Sequence, residues 1–100
     1  MIRAKMHKIE LRLDSREPVS PGDVTALSAR PQYLFRVDAW EIEVPGFEIL
    51  RQPDPLNLRR DGTLFPWPTV GVGESIEVVV KNVSGKPRRF LSRLVGIGAF

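Results

Sequence analysis

Apolar and polar residues alternate one by one along most of this sequence, and no stretch sustains the spacing of an amphipathic helix. A chain with that pattern buries one face of each segment as a strand, because successive side chains leave a strand on opposite sides. Ile9, Leu11 and Leu13 alternate with Lys8, Glu10, Arg12 and Asp14, which predicts a half-buried strand. Ile2, Ala4 and Met6 take the opposite phase, so a bulge or a change of partner is expected near His7. Val24 to Ala29 reads as a short strand. Phe35, Val37 and Ala39 alternate with Arg36 and Asp38, and Trp40, Ile42 and Val44 alternate with Glu41 and Glu43. The phase slips by one between Ala39 and Trp40, so this is one strand with a bulge or a strand shared between two sheets. Phe47 to Arg51 is a further short strand.

Turn residues separate these runs. Pro18, Pro21 and Gly22 make a loop of 15–23, Pro31 breaks the chain after Arg30, and Pro45-Gly46 turns it. Residues 52–74 hold four prolines and three glycines and read as a long irregular loop. Its apolar side chains, Leu56, Leu58, Leu64, Phe65, Trp67, Val70 and Val72, require a cover. Ile76, Val78 and Val80 alternate with Glu77 and Lys81. The turn Asn82-Val83-Ser84-Gly85-Lys86-Pro87 follows, then a strand from Arg88 to Ile97, which together predict a β-hairpin. The last strand is apolar on both faces toward its end, so both are covered, by the domain or by a neighbouring subunit. Six to eight short strands predict an all-β fold: a single-domain antiparallel β-sandwich or small barrel, jelly-roll-like, over residues 1–100. The expected core is Trp40, Ile42, Val44, Ile76, Val78, Val80, Phe90 and Leu94.

Composition removes several function classes. The chain has 100 residues and no cysteine, so disulfides, cysteine-held zinc and thiol catalysis are excluded. Hydrophobic residues make up 42%, enough for a core. No apolar run approaches the roughly 18 residues of a membrane helix, and charges interrupt the first ten positions where a signal peptide would be apolar. The expected location is the cytoplasm or a virion. His7 is the one histidine and reads as a surface or packing residue. Glu41 and Glu43 share the wet face of their strand and read as solvated. Gly71-Val72-Gly73 lacks the third glycine and the helix of a phosphate loop and reads as a turn. No nucleophile motif is present, so no catalytic residue, metal or cofactor is expected.

Charge is unevenly placed. Val37 to Pro55 carries Asp38, Glu41, Glu43, Glu48 and Asp54 against Arg51 alone, whereas Lys81 to Phe100 carries Lys81, Lys86, Arg88, Arg89 and Arg93 and no acid. These five residues make a candidate basic patch, either for nucleic acid or for an acidic surface on another subunit. Phe65 and Trp67, in the rigid run Leu64-Phe65-Pro66-Trp67-Pro68, suit an interface anchor and equally a cap on the domain's own core. Val95, Ile97 and Phe100 extend the interface candidates, because Leu94 to Phe100 has neither charge nor proline and would leave a flat apolar edge on a monomer. Arginine outnumbers lysine 11 to 4 with nine prolines, which suits a thermophilic source and equally a GC-rich genome.

The blocks Leu27-Ser28-Ala29-Arg30-Pro31-Gln32 and Phe35-Arg36, with the stretch from Ile76 to Phe90 (IEVVVKNVSGKPRRF), resemble small all-β proteins encoded by bacterial viruses, over about half the chain. That resemblance implies a non-enzymatic virion or assembly component, such as a capsid, decoration, shell or filament subunit, whose partners are copies of itself and other virion proteins. The alternative is a small nucleic-acid or polyanion binding module that uses the basic C-terminal segment.

Overall fold

The computed structural model describes residues 6–54, 56, 58–59, 61–64 and 68–99. Seven strands follow in order: β1 (Met6–Val19), β2 (Val24–Ala29), β3 (Phe35–Ile42), β4 (Phe47–Asp54), β5 (Thr69–Val70), β6 (Ile76–Asn82) and β7 (Arg88–Ala99). They form a four-stranded sheet in the order β1-β7-β3-β5 and a three-stranded sheet in the order β2-β6-β4, with every pairing antiparallel. Consecutive strands therefore alternate between the sheets at every connection. This is the winding of a jelly roll whose second sheet holds three strands, and it makes the chain an all-β sandwich. No helix among the described residues is long and apolar enough to cross a membrane.

The two inner faces supply the core. Leu13 of β1, Val37 and Trp40 of β3, Val70 of β5, and Phe90 and Leu94 of β7 meet Ile76, Val78 and Val80 of β6. Leu56 and Leu64 close one side of it. Phe90 ties the layers together: its ring packs edge-on against Phe47 of β4 with centroids 5.0 Å apart, and it lies 6.5 Å from Trp40. Six of the eight expected core residues are buried. Val44 is partly buried against the cluster. Ile42 departs, with 43% of its surface exposed. It stands at the end of β3, past the last backbone contacts that Thr63 and Gly62 make to Ala39 and Trp40, so one flank lies open.

The phase slip in β3 is a bulge between Val37 and Ala39 against β7, which lets Val37 and Trp40 share the inner face. Among the described residues no bulge or change of partner falls at His7: β1 keeps one register with β7 from Met6↔Ala99 to Asp14↔Leu91, and its irregularity lies between Asp14 and Pro18, while Ile2 and Ala4 lie outside the described residues. The strand also continues through 15–19, which read as loop. Ser15 makes that continuation. Its hydroxyl accepts the Phe90 N–H at 2.9 Å and donates to the Glu17 carbonyl at 2.7 Å. In 52–74 the chain is more regular than its prolines suggest. A bridge pairs Leu58 with Leu64 around a tight turn, a second pairs Ala39 with Thr63, and β5 follows.

Two corrections concern β7. The predicted hairpin does not form, because β6 lies in one sheet and β7 in the other. The predicted apolar edge does not exist either, because β7 is flanked by β1 and β3, and Leu94 to Gly98 are paired on both sides. Gly96 explains how β3 comes so close. A Cβ there would collide with the Arg36 carbonyl oxygen, which belongs to the backbone and cannot swing away. Gly98 likewise leaves room for the end of the Ile9 side chain.

These placements fix the ranking of core substitutions. Phe90→Ala is expected to cost about 3–5 kcal/mol in denaturant unfolding, and Gly96→Ala about 1–3 kcal/mol from overpacking. Ile42→Ala is expected to cost about 0.5 kcal/mol or less. Equal losses at Ile42 and Phe90 would contradict the assignment of faces.

Candidate interaction surfaces

The outer face of the four-stranded sheet carries the charge. Because β7 runs between β1 and β3, Arg93 stands between carboxylates from both neighbours. Its Nη1 is 2.9 Å from Glu10 of β1, its Nη2 is 2.8 Å from Glu41 of β3, and its Nε lies 3.5 Å from Glu43. The hydrogen bond to Glu41, then the charges of Glu10 and Glu41, hold its proton more firmly than usual. Two pleat repeats away on the same face, Arg89 grips Asp14 of β1 with Nε on Oδ1 at 2.8 Å and Nη2 on Oδ2. Asp14 also accepts the backbone N–H of Arg16, a residue with φ of 64°, so the carboxylate holds the bulge of β1 in place. The Arg89 hydrogen bond, ahead of the smaller backbone contribution, holds the Asp14 carboxyl below its ordinary range.

The acidic middle and basic end of the sequence thus meet inside one chain. Of the five basic-patch candidates, Arg89 and Arg93 are engaged by acids on this face. Lys81 lies on the outer face of the other sheet, since Ile76, Val78, Val80 and Asn82 of β6 face inward. Lys86 is exposed on the β6–β7 connection, and Arg88 packs half-buried beside Gly46. The structure distributes these five residues over both faces and one end of the sandwich.

Of the interface candidates, Val95 and Ile97 come together half-buried on the outer face of β7. They line a shallow depression of about 360 Å³ with His7, Lys8, Asp38 and Gly96. Phe65, Trp67 and Phe100 lie outside the described residues. A second apolar surface, not singled out from the sequence, sits on two loops at one end. There Tyr33 is 43% exposed, Leu34 53% and Val72 68%. The Gly73 N–H donates to the Pro31 carbonyl at 3.1 Å and so joins the β2–β3 loop to the β5–β6 loop. The signal in the sequence is an aromatic and an aliphatic side chain, Tyr33 and Leu34, just past Pro31-Gln32, where a solvated loop would carry polar residues. Among the described residues, no three His, Asp or Glu side chains are grouped so as to hold a metal ion.

The Asp14–Arg89 pair has a pH signature. Its folded-state pKa lies below the ordinary 3.8, so its contribution is present above that value and is lost as pH falls through the folded value. Asp14→Asn is therefore expected to lower the unfolding midpoint at neutral pH, with the two curves converging in strong acid. A pH-independent difference, or none at neutral pH, would contradict the pairing.

The chain matches no protein-family model, no curated protein and no solved structure.

Proposed function

We propose that this chain is a non-enzymatic structural protein that assembles with copies of itself, as a capsid, decoration, shell or filament subunit of a bacterial virus does. The observation that carries this reading is the apolar loop end formed by Tyr33, Leu34 and Val72. Isolated exposed apolar residues are ordinary, but three on two hydrogen-bonded loops make a surface that gains from a partner. The resemblance of the segments around Leu27–Arg36 and Ile76–Phe90 to small viral β proteins points the same way. The jelly-roll winding is compatible with it and carries no function by itself.

The pairing of Arg89 and Arg93 with carboxylates weighs against the nucleic-acid reading, because a phosphate would have to displace acids already in contact. The protein's place under this proposal is the virion, or the cytoplasm in which virions are built.

Sedimentation equilibrium up to high micromolar protein tests it. The wild type is expected to self-associate, and Leu34→Asp with Val72→Asp to lower the associated fraction while leaving the thermal midpoint unchanged. A wild type that stays monomeric, or one that shifts short DNA or RNA in gels at physiological salt, would overturn it.

A further inference from the structure

Every second residue from Lys8 to Asp14 is charged, and the sign alternates: Lys8, Glu10, Arg12, Asp14. In a strand these four share one face. Here it is the outer face of the four-stranded sheet, where Glu10 and Asp14 meet Arg93 and Arg89, while Ile9, Leu11 and Leu13 turn to the core. The two cations have no such partner. Lys8 and Arg12 are exposed, and neither forms an ion pair among the described residues. Arg12 stands directly opposite Arg93 of β7, a like charge. β1 is also an edge strand, with β7 paired on one flank and no strand paired on the other.

The backbone on the open flank is directed outward. The Leu91 carbonyl accepts from Glu43 on the β3 side of β7, so odd residues of β7 turn their backbone toward β3 and even ones toward β1. The even ones pair with Ile9, Leu11 and Leu13. Lys8, Glu10 and Arg12 therefore direct N–H and C=O away from β7, to the open flank. A groove of about 380 Å³ lies along it, between residues 8–11 and the segment from Arg30 to Tyr33. Ile9 and Leu11 line that groove half-buried, whereas Leu13 is fully buried. β2 comes close further along, where residues between Ser15 and Ser20 share a cleft with Asp23, Val24 and Thr25.

The charge order identifies the occupant. Charges on an edge repel foreign strands, but this order is complementary to itself. A second copy offering the same flank antiparallel is related by a two-fold axis normal to the sheet, and its charged face stays on the charged side. Offered parallel, it would be turned over and would set its apolar row beside the charges. Opposed residues of antiparallel strands share a face, so even positions oppose even ones and the allowed registers differ by two. With Leu11 opposite Leu11, Lys8 opposes Asp14 and Glu10 opposes Arg12, which gives four complementary pairs about the axis. One step either way sets Glu10 against Glu10 or Arg12 against Arg12. A further slip toward Met6 leaves two pairs, and one toward Pro18 runs into the register break. We infer that β1 is the contact through which two copies of this chain pair, antiparallel and two-fold symmetric about Leu11. Their four-stranded sheets join into one of eight in the order β5-β3-β7-β1-β1-β7-β3-β5. Each Arg12 gains the other copy's Glu10, and each Lys8 the other's Asp14. The same surface is used on both copies, so the contact closes as a dimer. The apolar loop end remains for contacts between dimers. This inference rests on the self-assembly reading and specifies its first interface.

The chain has no cysteine, so single introduced ones report the register. Leu11→Cys sets two thiols across the axis in a pair without backbone hydrogen bonds, with Cα atoms about 4.5 Å apart, within reach of a disulfide. Mild oxidation is expected to give a covalent dimer. Ile9→Cys holds its thiols roughly 14 Å apart and is expected to give none. Sedimentation equilibrium tests the charges. Arg12→Glu alone and Glu10→Arg alone each oppose like charges twice and are expected to weaken dimerisation by at least about tenfold. An equimolar mixture of these two variants restores both pairs and is expected to associate as the wild type does, as is the double variant Glu10→Arg/Arg12→Glu. Both positions are exposed, so unfolding midpoints of dilute protein should stay at the wild-type value. A wild type that associates while Leu11→Cys cross-links no better than Ile9→Cys would overturn the β1 contact and leave self-assembly standing. Single charge variants that associate as the wild type does, or a mixture that fails to recover, would also overturn it. A wild type that is monomeric throughout would overturn both.

Discussion

Asn82 occupies the fourth place in the inward row of β6, where the three preceding residues are Ile76, Val78 and Val80, and it is fully buried. A buried amide is costly unless every donor and acceptor is used. Here all are used. Its Nδ2 donates to the Val19 carbonyl and to the Lys86 carbonyl, both at 2.7 Å, and its Oδ1 accepts from the Ser84 N–H at 2.9 Å and the Ser84 hydroxyl at 2.7 Å. Its own backbone joins the β1–β2 turn, donating to the Asp23 carbonyl and accepting from the Gly22 N–H. One side chain thus ties together the end of β1, the turn after it and the arch that leaves β6. With those three fixed, the chain cannot fold back flat onto β6. It crosses to the other layer, and β7 begins beside Val19, where Arg88 pairs with it.

Much of the remaining structure follows from that crossing. β7 enters between β1 and β3, so its arginines come to lie among Asp14, Glu10, Glu41 and Glu43. These pairs are largely exposed, and exposed pairs contribute little to stability one by one. Their value is in register, since a slip of β7 by one residue would turn every guanidinium toward the core. Insertion also demands close backbone approach, which Gly96 and Gly98 permit.

Alternation located nearly every strand, because which face is apolar is written residue by residue. It could not say which sheet a strand joins. Val78, Val80, Phe90 and Leu94 were placed in the core correctly, yet the turn between Asn82 and Pro87 was read as flat, since an arch and a hairpin turn use the same residues. The asparagine held the distinction, being polar at a position whose phase is inward. The charge split from Asp38 to Arg93 was legible too. Its partner was not, because complementarity within a sheet and between subunits leaves the same composition. Leu94 to Phe100 looked like an edge for the same reason: an uncharged strand is either unprotected or interior, and only its neighbours decide.

The most direct test of this account is the unfolding free energy of Asn82→Asp, compared with the wild type at the same pH. The substitution keeps the shape and replaces the Nδ2 donors with an oxygen that faces the carbonyls of Val19 and Lys86. At neutral pH the loss is expected to reach about 3 kcal/mol or more, from a buried carboxylate with repulsive neighbours. The site disfavours the charged form and so raises the carboxyl pKa. The penalty should therefore shrink as pH falls toward the unfolded value, where the protonated group can donate to one carbonyl. A loss below about 0.5 kcal/mol at neutral pH, or one that does not shrink in acid, would contradict the claim that this residue directs β7 across the sandwich.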